Sequence, residues 1–168
     1  MAKAPVETLV VLTTGGTLDK EYDLDSQMVI GKPQVQNILA RVISDINFDI
    51  RPVLALDSLD MTDADRAELV QALDAVSSDK VLITHGTDSM ALTARFLLAH
   101  AKLGQKVVVL CGSIQPALMR DSDADFNLGA AVAAVQLLEP GVYICMSGRI
   151  LPAQTVHKDR SRGIFYQE

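Results

Sequence analysis

"KVLITHGTDSMALTARFLLAHAKLGQKVVVLC", residues 80–111, holds an apolar run, a glycine corner, a helical stretch and a second apolar run in one sweep. "KVLIT" (80–84) and "KVVVLC" (106–111) lack the polar alternation of a half-exposed strand; continuous runs of this kind belong to strands covered on both faces. Between them Ala91, Ala94, Leu98 and Ala101 share one helical face, and Gly104 is placed to end that helix. Strand, helix, strand at this spacing joins parallel neighbours through a right-handed crossover.

The same alternation extends in both directions. "TLVVLT" (8–13), "FDIRPVLAL" (48–56) and "GVYICM" (141–146) read as further strands. Val35, Ile38, Leu39, Val42 and Ile43 predict one helix and Leu69, Val70, Leu73 and Val76 a second; Leu128, Ala131, Val132, Val135 and Leu138 predict another. Thr62 followed by Asp65 in "MTDAD" reads as an N-cap with acids in the first turn. The order predicts an α/β fold: a single doubly wound, mostly parallel sheet with helices on both faces. After the fifth strand, "MSGRILPAQT" (146–155) predicts a tight Ser-Gly turn into one further extended segment, a hairpin-like C-terminal extension. At 168 residues the chain reads as one domain, 1–168, able to bury a core without disulfides.

Composition narrows the partners. With 15 basic and 21 acidic residues the net charge is −6, and no Lys/Arg cluster stands out before the last dozen residues, which argues for a small molecule rather than nucleic acid. Cys111 and Cys145 sit near the ends of apolar runs, where buried reduced thiols are the plain reading. The N-terminus is too short in apolar residues and too acidic for a leader peptide, and no window approaches a membrane span, so a cytoplasmic protein is expected.

In a doubly wound sheet, ligands bind beyond the carboxyl ends of the strands, where the strand order reverses. That rule selects "TTGGTLDKEYD" (13–23), "DSLDMT" (57–62), "HGTDS" (85–89) and "GSIQPALMRDSD" (112–123), all rich in hydroxyls, glycines or carboxylates. None carries the spacing of a phosphate-binding glycine loop or of a G-x-S-x-G elbow. Gly15 and Gly16 permit positive φ and expose the Thr17 hydroxyl; a turn threonine bonding its own backbone is the alternative. Thr87 and Asp88 open a helix after Gly86, and there the alternative is an ordinary N-cap. A threonine nucleophile needs a base to take its proton. No histidine has triad-like spacing, and Lys158 in "TVHKDR" remains as a base, with a solvated tail lysine as the alternative. His157 beside it reads as a bystander, and no metal-ligand cluster is present in the sequence.

"TGGT" (14–17), "SLDMT" (58–62), "HGTD" (85–88) and the lysine after the fifth strand, in this order with "GSIQP" (112–116) and "DFNLGAAV" (125–132), resemble the bacterial-type L-asparaginase family, which includes glutaminase-asparaginases. The resemblance spans nearly the whole chain. It implies an amidohydrolase converting L-asparagine to L-aspartate and ammonia, with weaker action on glutamine, no cofactor and no metal. By the same resemblance Thr17 is the nucleophile that forms a β-aspartyl ester, assisted by the loop tyrosine Tyr22, and Thr87, Lys158 and Asp88 form the second catalytic group. Gly16, Ser58, Thr87 and Asp88 would contact substrate. The chain departs from the family pattern at Ser89, Leu59 and Gln115, and it lacks a second domain that in full-length members helps to complete a neighbour's site. Either a naturally short form that closes its site differently or a domain excised from a longer chain is therefore expected, assembled as a homo-oligomer, a dimer or tetramer. Two other readings stay open: a non-catalytic amino-acid sensor, and an amidase domain supplying ammonia to a larger amidotransferase.

Overall fold

The computed structural model of the chain describes residues 7–168. The expectation of no leader peptide rests partly on residues 1–6, outside the described residues. The sheet is built on β1 (Thr8–Gly15), which lies between β4 (Asn47–Leu56) and β5 (Lys80–Thr84) and is parallel to both. β6 (Val107–Cys111) and β7 (Gly141–Met146) continue the parallel array, and β8 (Arg149–Pro152) closes it antiparallel to β7, giving the order β4-β1-β5-β6-β7-β8. Chain order reverses between β1 and β5, so the crevice above their carboxyl ends is the switch point of the sheet.

Alternate residues of the central strands feed two separate cores. Val10, Leu12, Val81 and Ile83 face α2 (Asp63–Asp74) and α3 (Met90–His100), burying Leu69, Leu73, Ala94 and Leu97. Leu9, Val11 and Leu82 face α1 (Val35–Leu39) and α4 (Ala124–Leu137), burying Val35, Ile38, Leu128 and Ala131. Burial on both faces is why these strands carry no polar alternation. The Ser147–Gly148 turn, both residues at positive φ, joins β7 to β8 as expected. Thr62 and Asp65 form a reciprocal capping box at the start of α2.

Several sequence expectations need correction. α1 ends at Leu39 rather than reaching Ile43, because bonds from Arg41 and Val42 back to Ile38 and Leu39 tighten the last turn and the Ser44 hydroxyl then takes the Ile46 N–H. Val42 and Ile43 are left exposed. α3 stops where Ala101 turns extended, so Gly104, at φ 55°, shapes the following turn instead of capping the helix. Two small antiparallel hairpins are additions to the expected pattern: β2 (Lys20–Tyr22) with β3 (Met28–Ile30), and β9 (Val156–Asp159) with β10 (Ile164–Gln167).

Candidate active site

Two glycine corners meet above the switch point. Gly15 and Gly16 leave β1 at φ 92° and 80°, and Gly16 combines that φ with ψ −173°, a conformation essentially reserved for glycine. A Cβ on Gly16 would overlap the backbone N and Cα of Gly86, and one on Gly86 would stand 2.6 Å from Ser58 Oγ. The segments following β1 and β5 therefore touch backbone to backbone, with the Ser58 side chain from the segment after β4 packed against Gly86, and the residues next to the two glycines are Thr17 and Thr87. Thr17 is half-buried and opens a single 3₁₀ turn, Thr17–Asp19. Neither the Thr17 nor the Thr87 N–H donates to any acceptor among the described residues. Such unpaired donors at the start of a turn form a ready anion site.

Lys158 reaches this corner from the far end of the chain. β9 is tied to α3 by a bond from the Arg95 guanidinium to Val156 O (2.9 Å), and Lys158 lies across from the buried Phe165 of β10. Its amine donates to Thr87 Oγ1 at 2.8 Å and to Asp88 Oδ1 at 2.7 Å, with the lysine side chain only 10% exposed. The N-cap alternative for Thr87 and Asp88 fails: α3 begins at Met90, its capping position is Ser89, and no side chain caps it. Ser89 instead donates to Ser58 O (2.6 Å), and Ser58 Oγ accepts from the Asp88 N–H (3.2 Å). The buried Ser58 hydroxyl donates to no acceptor among the described residues, so its proton remains available to a ligand.

Tyr22 is not brought to this cluster. It stands 66% exposed on β2, facing a groove of 260 Å³ shared with Lys20, Met28, Pro116 and Leu118, and it makes no hydrogen bond to the site among the described residues. The exposed Leu59 and Gln115 flank the site, and Gln115 is held by its N–H to Asp123 Oδ1 (3.0 Å). His157 points away and stacks on Tyr166.

Other residues around the site were not singled out by the sequence reading. Asp19, buried within the turn that carries Thr17, accepts the Gln34 N–H at 2.8 Å; burial pushes its carboxyl up to about 6, against the opposing pull of that hydrogen bond. Lys20 pairs with Asp57 at 2.7 Å, which together with the Leu59 N–H holds the Asp57 carboxyl below its usual range. Asn127, buried, joins Gly112 O and Asp123 to the Ser147 N–H and so ties the loop after β6 to the β7–β8 turn. His85 is fully buried behind Gly86. Among the described residues no group of three or more His, Cys, Asp or Glu could hold a metal ion, and no helix is long and apolar enough to cross a membrane.

Comparison with known proteins agrees with the geometry. The family described as "Asparaginase, N-terminal" matches residues 8–164. L-asparaginase 2 of Escherichia coli (strain K12) is 31% identical over 173 residues, covering 97% of this chain and 49% of that protein. The solved thermostable L-asparaginase from Thermococcus kodakarensis superimposes with a TM-score of 0.87 at 28% identity, over 95% of this chain and 51% of that one. A subunit of the glutamyl-tRNA(Gln) amidotransferase from Thermoplasma acidophilum is 29% identical over 79% of this chain and 34% of its own length. The chain spans about half the length of the asparaginases it matches. The match runs through every element that builds the switch-point crevice, and the chain belongs to the asparaginase family, corresponding to its N-terminal domain.

Proposed function

We propose that the chain hydrolyses the side-chain amide of L-asparagine, with Thr17 as nucleophile. The observation that carries this reading is the Lys158 amine held between Thr87 Oγ1 (2.8 Å) and Asp88 Oδ1 (2.7 Å) on a corner whose backbone touches the turn bearing Thr17. In the first half-reaction the Thr17 oxygen adds to the amide carbon, its proton passes to the departing nitrogen, and ammonia leaves a β-aspartyl ester on Thr17. Negative charge developing on the amide oxygen is met by the unpaired N–H groups of Thr17 and Thr87, where one donor is commonly worth about 10²–10³-fold in rate.

In the second half-reaction Thr87, with Lys158 as its base partner, relays its proton to the lysine amine and takes one from water. The water adds to the ester, and aspartate departs as Thr17 recovers its proton. Asp88 orients the amine throughout and offers its second oxygen to the substrate ammonium. The Ser58 hydroxyl donates to the α-carboxylate, and the Gly16 backbone lets the substrate lie close. Tyr22 stands exposed outside the cluster, and in this reading it assists Thr17 only when its hairpin closes over the bound substrate. Glutamine, one methylene longer, is the weaker substrate. No metal or organic cofactor takes part in this sequence of steps.

We read residues 1–168 as one catalytic domain that works in the cytoplasm. We read it as a homo-oligomer, a dimer or tetramer, as the resemblance to the family implies. The likeness to an amidotransferase subunit supports a second reading, release of ammonia to a partner rather than to solvent. Ammonia release from asparagine and glutamine, beside calorimetric binding of aspartate and the mass in solution, separates the possibilities. Catalysed release sustains hydrolysis; tight aspartate binding with no release from either amide would move the chain to the sensor class.

A further inference from the structure

The imidazole of His85 is wholly buried at the end of β5, and its backbone N–H is fixed to Cys111 O at 2.9 Å. Its Nδ1 lies 2.7 Å from Gly86 O. A carbonyl oxygen only accepts, so the ring proton sits on Nδ1. Nε2, left without a proton, touches Met61 Sδ at 3.2 Å; that thioether accepts the Thr93 hydroxyl (3.7 Å), whose oxygen accepts from the buried Arg66 Nε (3.1 Å). Arg66 is paired in turn with Asp63 at 3.0 Å. Burial pushes the imidazole pKa down to about 4, with the Arg66 charge acting in the same direction and the Gly86 bond opposing, so the ring is neutral and carries its single proton on the Gly86 side.

The bond to Gly86 O also fixes the peptide that follows. No peptide among the described residues is cis, and in a planar trans unit the C=O and the next residue's N–H point in opposite directions. With Gly86 O drawn inward to the imidazole, the Thr87 N–H is turned outward, and it donates to nothing among the described residues. Gly86 has to lack a side chain because Ser58 and Gly16 crowd it, and glycine leaves the peptide plane free to rotate. A rotated plane would present a carbonyl oxygen to the developing oxyanion.

We propose that His85 is a positioning residue: its Nδ1–H clamps the Gly86 carbonyl so that the Thr87 N–H stays aimed into the crevice as a fixed oxyanion donor. This rests on the amidohydrolase reading above. The role belongs to one ring nitrogen, which makes it separable from general packing. Asparagine's amide nitrogen occupies the Nδ1 position of histidine, whereas that of glutamine lies farther out, nearer Nε2.

His85→Leu should lower kcat for ammonia release by about 10²-fold, in line with loss of an oxyanion donor. KM and aspartate affinity should stay within about threefold, since the donor acts in the transition state. His85→Asn should recover activity to within about tenfold of the wild type, and His85→Gln should not. A folded His85→Leu with wild-type kcat, a loss confined to KM, or equal losses in the Asn and Gln variants would overturn the assignment. Nitrogen-15 spectra of the wild-type ring give a readout independent of folding of the variants and of turnover: the proton on Nδ1 sustains the clamp, and the proton on Nε2 refutes it. A wild type that binds aspartate but releases no ammonia would instead defeat the functional reading, leaving the ring measurement to decide the clamp.

Discussion

Asp19 sets up a stability experiment with a defined sign. Its carboxyl is 1% exposed, in the turn two residues after Thr17, with one oxygen bound to the Gln34 N–H at the start of α1. In the folded chain its pKa stands at about 6 against an ordinary 3.8, because ionising it in the core forfeits hydration. The folded state thus holds a proton that the unfolded state has released between about pH 4 and 6, and stability falls as pH rises through that window. Above it the penalty is complete, about 3 kcal/mol for a shift of roughly two units. Asp19→Asn removes the charge and keeps an oxygen for Gln34. Urea unfolding at pH 7.5 should find the variant about 1–3 kcal/mol more stable, the lower figure allowing for the desolvated amide. At pH 4 the variant's advantage should be smaller by about 2–2.5 kcal/mol, since Asp19 is then protonated in the fold and the cost of the buried amide is the same at both pH values. An equal difference at both pH values, or a variant weakened at pH 7.5, would refute the reasoning.

Gly16→Ala should destabilise the fold by about 3 kcal/mol or more, because its backbone region is closed to side chains and the new methyl would overlap Gly86; a melting temperature close to the wild type would contradict the corner geometry. Thr84→Val removes a buried hydroxyl with no partner, opposite the equally unpartnered Thr13, so thermal unfolding should rise by about 2–4 °C for roughly 1 kcal/mol gained; a fall would mean the hydroxyl is satisfied. Lys158→Met should cut kcat by about 10²–10⁴-fold while leaving aspartate binding within about threefold, and unchanged turnover would remove Lys158 from the mechanism.

The parallel core was legible because strands buried on both faces must be apolar throughout, as "KVLIT" and "KVVVLC" are. The candidate site's location followed from topology, since β1 and β5 are neighbours at the switch point and their glycine corners meet there. What escaped was set by tertiary contact. Strands of three residues such as Lys20–Tyr22 leave no period to read, and α1 stops early through local bonds that its apolar stripe does not reveal. The clamp at His85 is invisible in the chain because nothing in "THGTD" says that the ring turns back onto the next carbonyl. Asp19 has the look of an ordinary turn acid, and only its burial beneath α1 gives it an unusual proton affinity.

Mixing the chain with L-asparagine, quenching in acid during turnover and sequencing the digested protein by mass spectrometry tests the central claim most directly. An aspartyl ester on the peptide that carries Thr17, absent together with ammonia release in Thr17→Ala, is the predicted result. Ammonia release that survives Thr17→Ala, or an ester carried on another side chain, would contradict it.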